Sequence, residues 1–171
     1  MEIKKMIMLI LVAVIFVSFF LPWISVESAA IGGVTKLLTG KEQSVFTQVS
    51  GFQVPVLANS DESRFMITII KLFQPGIKDA DKKSYLIWGV PLLAVVLFLL
   101  SYFLKDNKWV ALGIGIIGVA IFAGAVFKIS TTNLDKLVMQ VNIAYGLWLI
   151  LIGYLGLGIL GILDFVKMLR K

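Results

Sequence analysis

The chain of 171 residues is 59% hydrophobic and 15% charged, with a mean hydropathy of +0.97, whereas soluble domains carry about 25% charged residues. This composition points to an integral membrane protein. With neither Cys nor His, the chain cannot form a disulfide, a lipoprotein anchor or a thiolate metal site, and it lacks the commonest general base.

The net charge of +6 does not imply a nucleic-acid partner, because of where the charges lie. Lys4, Lys5, Lys105, Lys108, Lys167, Arg170 and Lys171 sit in three short segments beside apolar runs, where Lys and Arg set membrane orientation. The interleaved aromatic and basic groove of a strand-binding protein is absent. None of Asn59, Asn107, Asn133 and Asn142 stands in a glycosylation context. A bacterial or archaeal cell (inner) membrane is the expected location.

The first element in chain order is the uncharged run Met6 to Val26, expected as a membrane-spanning helix. Lys4, Lys5, this run and Ser28-Ala29-Ala30 resemble an export signal with a small-residue cleavage site. However, the 21 uncharged residues exceed the usual apolar core of about 7 to 15, which favours a retained span. Pro22 should bend or end the helix, and Trp23 should anchor at headgroup depth.

The segment 27–83 is too long for a structureless connection and is expected to form a small α+β domain. Within "SVFTQVSGFQVPVL", Val45, Thr47 and Val49 alternate with Phe46 and Gln48, and Phe52, Val54 and Val56 alternate with Gln53 and Pro55. Ser50-Gly51 between the halves predicts a hairpin, with Pro55 placing its strand at an edge or bulge. Asn59 or Ser60 then caps a helix that Pro75-Gly76 stops. Its Phe65, Met66, Ile69, Leu72 and Phe73 form one apolar stripe that covers the sheet, lies on the membrane or receives a partner. The acidic pairs Asp61-Glu62 and Asp79/Asp81 match no calcium-loop spacing and read as a helix start and a solvated linker. "TKLLTGKE" lacks the glycine-rich cradle of a nucleotide loop.

Three further uncharged runs follow: 84–104, 109–127 and 137–163, the last with an expected core of 143–163. Gly89 and Pro91 predict a kink near one end of the second span, since Pro91 cannot bond the carbonyl of Ile87. Dense basic flanks remain in the cytoplasm, which places both termini and the Lys105 to Lys108 turn inside. Segment 27–83 and the connection Lys128 to Lys136 are then extracytoplasmic. Trp23, Trp109, Trp148, Tyr85, Tyr102 and Tyr145 lie near the expected span ends.

In the third span, Ala111, Gly115, Gly118 and Ala125 share one helix face, while Gly113, Ala120 and Gly124 share the opposite one. Small residues let helices approach closely in lipid, so this span is expected to be packed on both sides. In the fourth span, Gly146, Gly153 and Gly156 cluster on one side, with Gly158 and Gly161 spread towards others. These faces serve packing within a four-helix bundle or docking to a different subunit. No ionisable residue lies inside any expected span, which disfavours coupled transport. Ser18, Ser25, Ser101, Tyr154 and Asn142 remain as polar groups suited to helix-to-helix hydrogen bonds.

This plan resembles that of the claudin-like tetraspan proteins. "LPWISV" is similar to the Pro/Trp/Val stretch with which claudins begin their outer sheet, and "AYGLWLILIGYLGLGILG" is similar to their Gly- and aromatic-rich fourth span. Claudins carry a Gly-Leu-Trp plus two-cysteine signature in the first outer loop; here that loop has no Cys, and Gly146-Leu147-Trp148 lies elsewhere. The resemblance implies a sheet built on a four-helix bundle and a tendency to associate laterally, not a paracellular channel.

The expected fold is thus an all-α membrane protein: a four-transmembrane-helix bundle with a small α+β extracytoplasmic domain between its first two helices. The expected function is that of a non-enzymatic accessory, assembly or scaffold subunit, without cofactor, metal or catalytic residues. It would contact the lipid bilayer and another membrane protein or further copies of itself. A small channel or uncoupled transport component is the alternative.

Overall fold

The structure is a computed structural model that describes residues 3–28, 45–59, 83–104, 107–131 and 140–170. In chain order these form helix α1 (Ile3–Ser18), strand β1 (Pro22–Ser28), strand β2 (Val45–Ser50), the short helix α2 (Gln53–Ala58) and a 3-10 turn (Ser84–Trp88). Helix α3 (Gly89–Phe103), helix α4 (Lys108–Thr131), strand β3 (Gln140–Ile143) and helix α5 (Tyr145–Leu169) follow. The described residues are mostly helical, with a small three-stranded sheet at one end of four long helices.

Among the described residues three helical segments, Ser84–Phe103, Lys108–Thr131 and Tyr145–Leu169, are long and apolar enough to cross a membrane. Their surfaces have the character such a solvent requires. Helix α4 buries Ala111, Ile114, Gly115 and Gly118 but leaves Ile116 58% and Phe127 70% exposed. A bundle assembled in water would hide the large apolar side chains and expose the small ones; in lipid, close approach of small residues drives packing instead.

Helix α1 does not continue through the expected Met6 to Val26 run. It stops at Ser18, and Pro22–Ser28 are a strand. Pro22 has no N–H to offer the helix and disfavours helical backbone at Leu21. The terminal carbonyls find other partners: Phe20 and Leu21 N–H donate to Val17 and Ser18, and the Trp23 indole N–H donates to Ser18 at 3.0 Å. Trp23 is therefore no outward anchor. It is 8% exposed, packed edge-to-face on Phe19.

β1 is the central strand in the order β2-β1-β3, antiparallel to both neighbours. Ile24 pairs with Val49 on one side and Ile143 on the other. The register with β2 shifts between Pro22 and Ile24, leaving Trp23 as an inserted residue. Neighbours in a regular strand face opposite ways, yet Trp23 and Ile24 are both buried; the bulge turns the extra side chain under the sheet.

The expected hairpin at Ser50-Gly51 is not formed. Residues 53–58 are helix α2, started by a reciprocal cap: the Gln53 N–H donates to the Ser50 hydroxyl at 3.3 Å, and the Ser50 N–H donates to the Gln53 side-chain oxygen at 3.0 Å. Asn59 ends this helix. Its side-chain amide donates to the Pro55 carbonyl at 2.8 Å and to the Ser84 hydroxyl at 3.2 Å. The helix expected after Asn59, with Phe65, Met66, Ile69, Leu72 and Phe73, lies outside the described residues, as do Asp61-Glu62, Asp79/Asp81 and "TKLLTGKE".

The expected second span coincides with the 3-10 turn and α3, and Pro91 lies in the first turn of α3, just after 3-10 backbone gives way to α-helix. The third extends a little at both ends, to Lys108 and Thr131. The fourth begins at Tyr145 and continues to Leu169, because Asn142 and Ile143 belong to β3. Asp164 and Lys167 are therefore helical.

Candidate functional site

Helix α5 is the hub of the bundle, wedged between α1 and α4 by two glycine faces. Gly153 lies under Ile15, and Gly156 lies under Leu11, both on α1. On the other side Gly158 meets the backbone of Gly115 and Val119, while Gly161 meets that of Ala111 and Gly115. A Cβ on Gly118 would lie 2.6 Å from the Tyr154 carbonyl oxygen, and one on Gly161 would lie 2.5 Å from the Gly115 nitrogen. Such distances mean that α4 and α5 touch backbone to backbone. Gly146, at the start of α5, fits beneath the carbonyls of Leu21 and Pro22 and so seats the sheet on the bundle.

The remaining candidates on α4 lie elsewhere. A Cβ on Gly113 or Gly124 would meet nothing within 4 Å, and no residue of α4 beyond Gly118 is buried. Among the described residues α4 is packed through the face that carries Ala111, Gly115 and Gly118. Among the described residues, Gly113 and Gly124 on the opposite face meet no neighbour, while Ile121 in the sheet-end half packs against the core.

Polar side chains tie the helices together. The Tyr154 hydroxyl, on a residue that is 0% exposed, donates to the Val90 carbonyl and joins α5 to α3. Ser101 on α3 donates to the Met8 sulfur on α1 at 3.3 Å. At the end away from the sheet, Lys4 on α1 forms an ion pair with Asp164 on α5, and Lys5 lies over the Tyr102 ring at 5.2 Å. Lys4, Ser101, Asn107, Val110, Ala111 and Asp164 line a small cleft there, with room for about one water molecule. Asn107 caps α4, its side-chain oxygen accepting from the Trp109 N–H at 3.0 Å. Among the described residues there is no group of three acidic, Cys or His side chains that could hold a metal, and no buried side-chain nitrogen or oxygen lacks a partner.

At the sheet end, rings form a continuous chain. Phe16 packs on Phe20 at 5.7 Å, Phe20 stacks on Phe52 at 5.6 Å, Phe52 stacks on Trp88 at 5.7 Å, and Trp88 meets Tyr85 edge-on at 5.4 Å. Phe19 and Trp23 lie beneath, against Gly51, where a Cβ would come within 2.4 Å of the indole. Sequence reasoning singled out neither Phe16 nor Phe20, and it placed Phe52 in a strand. Their signal was the "SGFQ" cap, which makes Phe52 a first-turn helical residue, and Phe16/Phe20, which share a face at i, i+4.

No protein-family model matches this chain, and neither a curated protein nor a solved structure is found to be similar to it.

Proposed function

We propose that this protein is a non-enzymatic accessory, assembly or scaffold subunit of a bacterial or archaeal cell membrane, crossing it four times with both termini in the cytoplasm. The observation that carries the reading is α4. It is closed against α5 by glycine contacts as far as Gly118, yet a Cβ on Gly113 or Gly124 would meet nothing within 4 Å, and Ile116 and Phe127 are 58% and 70% exposed. Small residues on an uncovered face allow a second helix to approach as closely as α5 does on the other. The partner is another membrane protein or a further copy of this chain.

Orientation follows from charge. The end of the bundle holding Lys4, Lys5, Lys108, Lys167 and Arg170 belongs on the cytoplasmic side, and the sheet on the other. The claudin resemblance of the sequence likewise implies lateral association.

The absence of Cys makes the test direct. Single substitutions Gly113→Cys and Gly124→Cys, treated with a short thiol-to-amine cross-linker in native membranes, are expected to join the protein to a second polypeptide. Gly118→Cys, facing α5, should not. Recovery of uncross-linked monomer from both open-face variants, together with a partner-free particle in mild detergent, would count decisively against the proposal.

A further inference from the structure

The described helices have unequal lengths. At 1.5 Å per residue α1 rises about 24 Å, and the 3-10 turn plus α3 about 32 Å, against a hydrocarbon core of about 30 Å. Yet the apolar surface of α1 does not end at Ser18. Phe16 and Phe20 are half exposed at 50% and 52%, and their rings continue into Phe52 on α2 and Trp88 and Tyr85 on the 3-10 turn. Phe52, just before α2, and Val56, one turn on, are both exposed on the same face, and Leu86 on the 3-10 turn is 76% exposed. No charged residue occurs in 16–26, 45–59 or 84–88.

The backbone beneath this surface is hydrogen-bonded within the protein and so is compatible with a place without water. The Ile15 and Val17 carbonyls accept from the Phe19 and Phe20 N–H groups, Ser18 accepts from Leu21 and the Trp23 indole, and Phe19 accepts from the Phe52 N–H at 3.2 Å. A helix end at membrane depth must satisfy its terminal carbonyls within the protein, and this end meets that requirement. Two hydrogen bonds hold α2 to the 3-10 turn, from Asn59 to Ser84 and, at 3.4 Å, from the Trp88 indole to the Phe52 carbonyl.

We propose that the occupant of this aromatic face is the bilayer itself: α2 lies in the membrane interface with Phe52 and Val56 turned into the boundary between headgroups and acyl chains. The Phe19–Leu21 turn and the Phe16/Phe20/Phe52/Trp88 rings complete the thickness that α1 alone does not reach. Aromatic rings favour that depth, and an apolar helical face can rest there without crossing. The sheet is consequently held against the lipid surface rather than raised above it. This inference rests on the reading of α4 as a span.

The test uses nitroxide labels on single cysteines in the full chain, reconstituted in phosphatidylcholine and phosphatidylglycerol vesicles. Positions are Val56 and Leu86 on the aromatic face, Gln48 on β2 and Ile117 midway along α4. Collisions with oxygen, which concentrates in lipid, are compared with collisions with a water-soluble nickel chelate. The expected result is a ratio that favours oxygen at Val56 and Leu86, intermediate between a chelate-favouring Gln48 and an Ile117 that favours oxygen most. A chelate-favouring ratio at Val56 and Leu86 equal to that at Gln48 would overturn the inference, as would low collision rates with both reagents, the signature of a covering protein. Loss of the oxygen preference at Ile117 would instead refute the spanning reading and the inference with it.

Discussion

Gly118 and Gly158 meet with no side chain between them: a Cβ on Gly118 would lie 2.6 Å from the Gly158 nitrogen and 2.7 Å from its Cα. Backbone cannot move aside as a flexible side chain can, so Gly118→Val or Gly158→Val should force α4 and α5 apart. The expected loss is about 1–3 kcal/mol, read as a fall in thermal unfolding temperature in detergent. Gly113→Val and Gly124→Val, which meet open space, should stay within about 0.5 kcal/mol of the parent. Equal destabilisation by all four would show that α4 is not packed on one side only.

At the sheet end, Gly51 lies against the Trp23 indole and Phe19. Gly51→Ala places a methyl group where two rings already are. The aromatic near-ultraviolet circular dichroism should weaken, and stability should fall by about 1–3 kcal/mol. An unchanged spectrum would mean that Trp23 is not held under the sheet.

The Tyr154 hydroxyl joins two helices that otherwise meet through apolar contact. Tyr154→Phe keeps the ring and removes the bond, with an expected cost of about 0.6 kcal/mol, the average for interhelical hydrogen bonds in membranes. Because the hydroxyl is wholly buried, the loss should not depend on salt. A cost of several kcal/mol would mean that the group does more than bridge Val90.

Lys4 and Asp164 pair the beginning of α1 with the last turns of α5. Both side chains are partly exposed, at 30% and 18%, which limits the pair to about 1 kcal/mol. Lys4→Asp and Asp164→Lys should each destabilise, and the double exchange should restore most of the loss. Additive losses in the double variant would show that the charges do not interact.

Several features were legible because they depend on local sequence. The absence of charge over 84–103, 109–127 and 145–163 marks apolar helices whatever they pack against. The small-residue spacing of α4 and α5 likewise marks faces fit for close approach. Which faces are used was not legible: Gly115 and Gly118 are covered by α5, whereas Gly113 and Gly124 on the same helix are not. Periodicity reports that two faces exist, but not where the neighbouring helices stand.

The sheet shows the other limit. "PWISV" continues the apolar run of α1, and "QVNI" adjoins that of α5, so each composition is compatible with helix as well as strand. Their strand conformation comes from pairing with one another, between Ser25 and Asn142, which are 117 positions apart in the chain. "SGFQ" was misjudged for a different reason. Alternating apolar residues after it suggested a strand, but Ser50 and Gln53 already carried the reciprocal cap that starts a helix.

Composition and the lengths of uncharged runs were enough to establish a membrane-embedded helical protein, since the cost of placing charge in lipid acts on each segment independently. The strand at Pro22, the bulge that buries Trp23 and the choice of glycine faces required residues distant in sequence to meet in space. Those choices depend on backbone pairing and steric fit between elements, and no single segment contains that information.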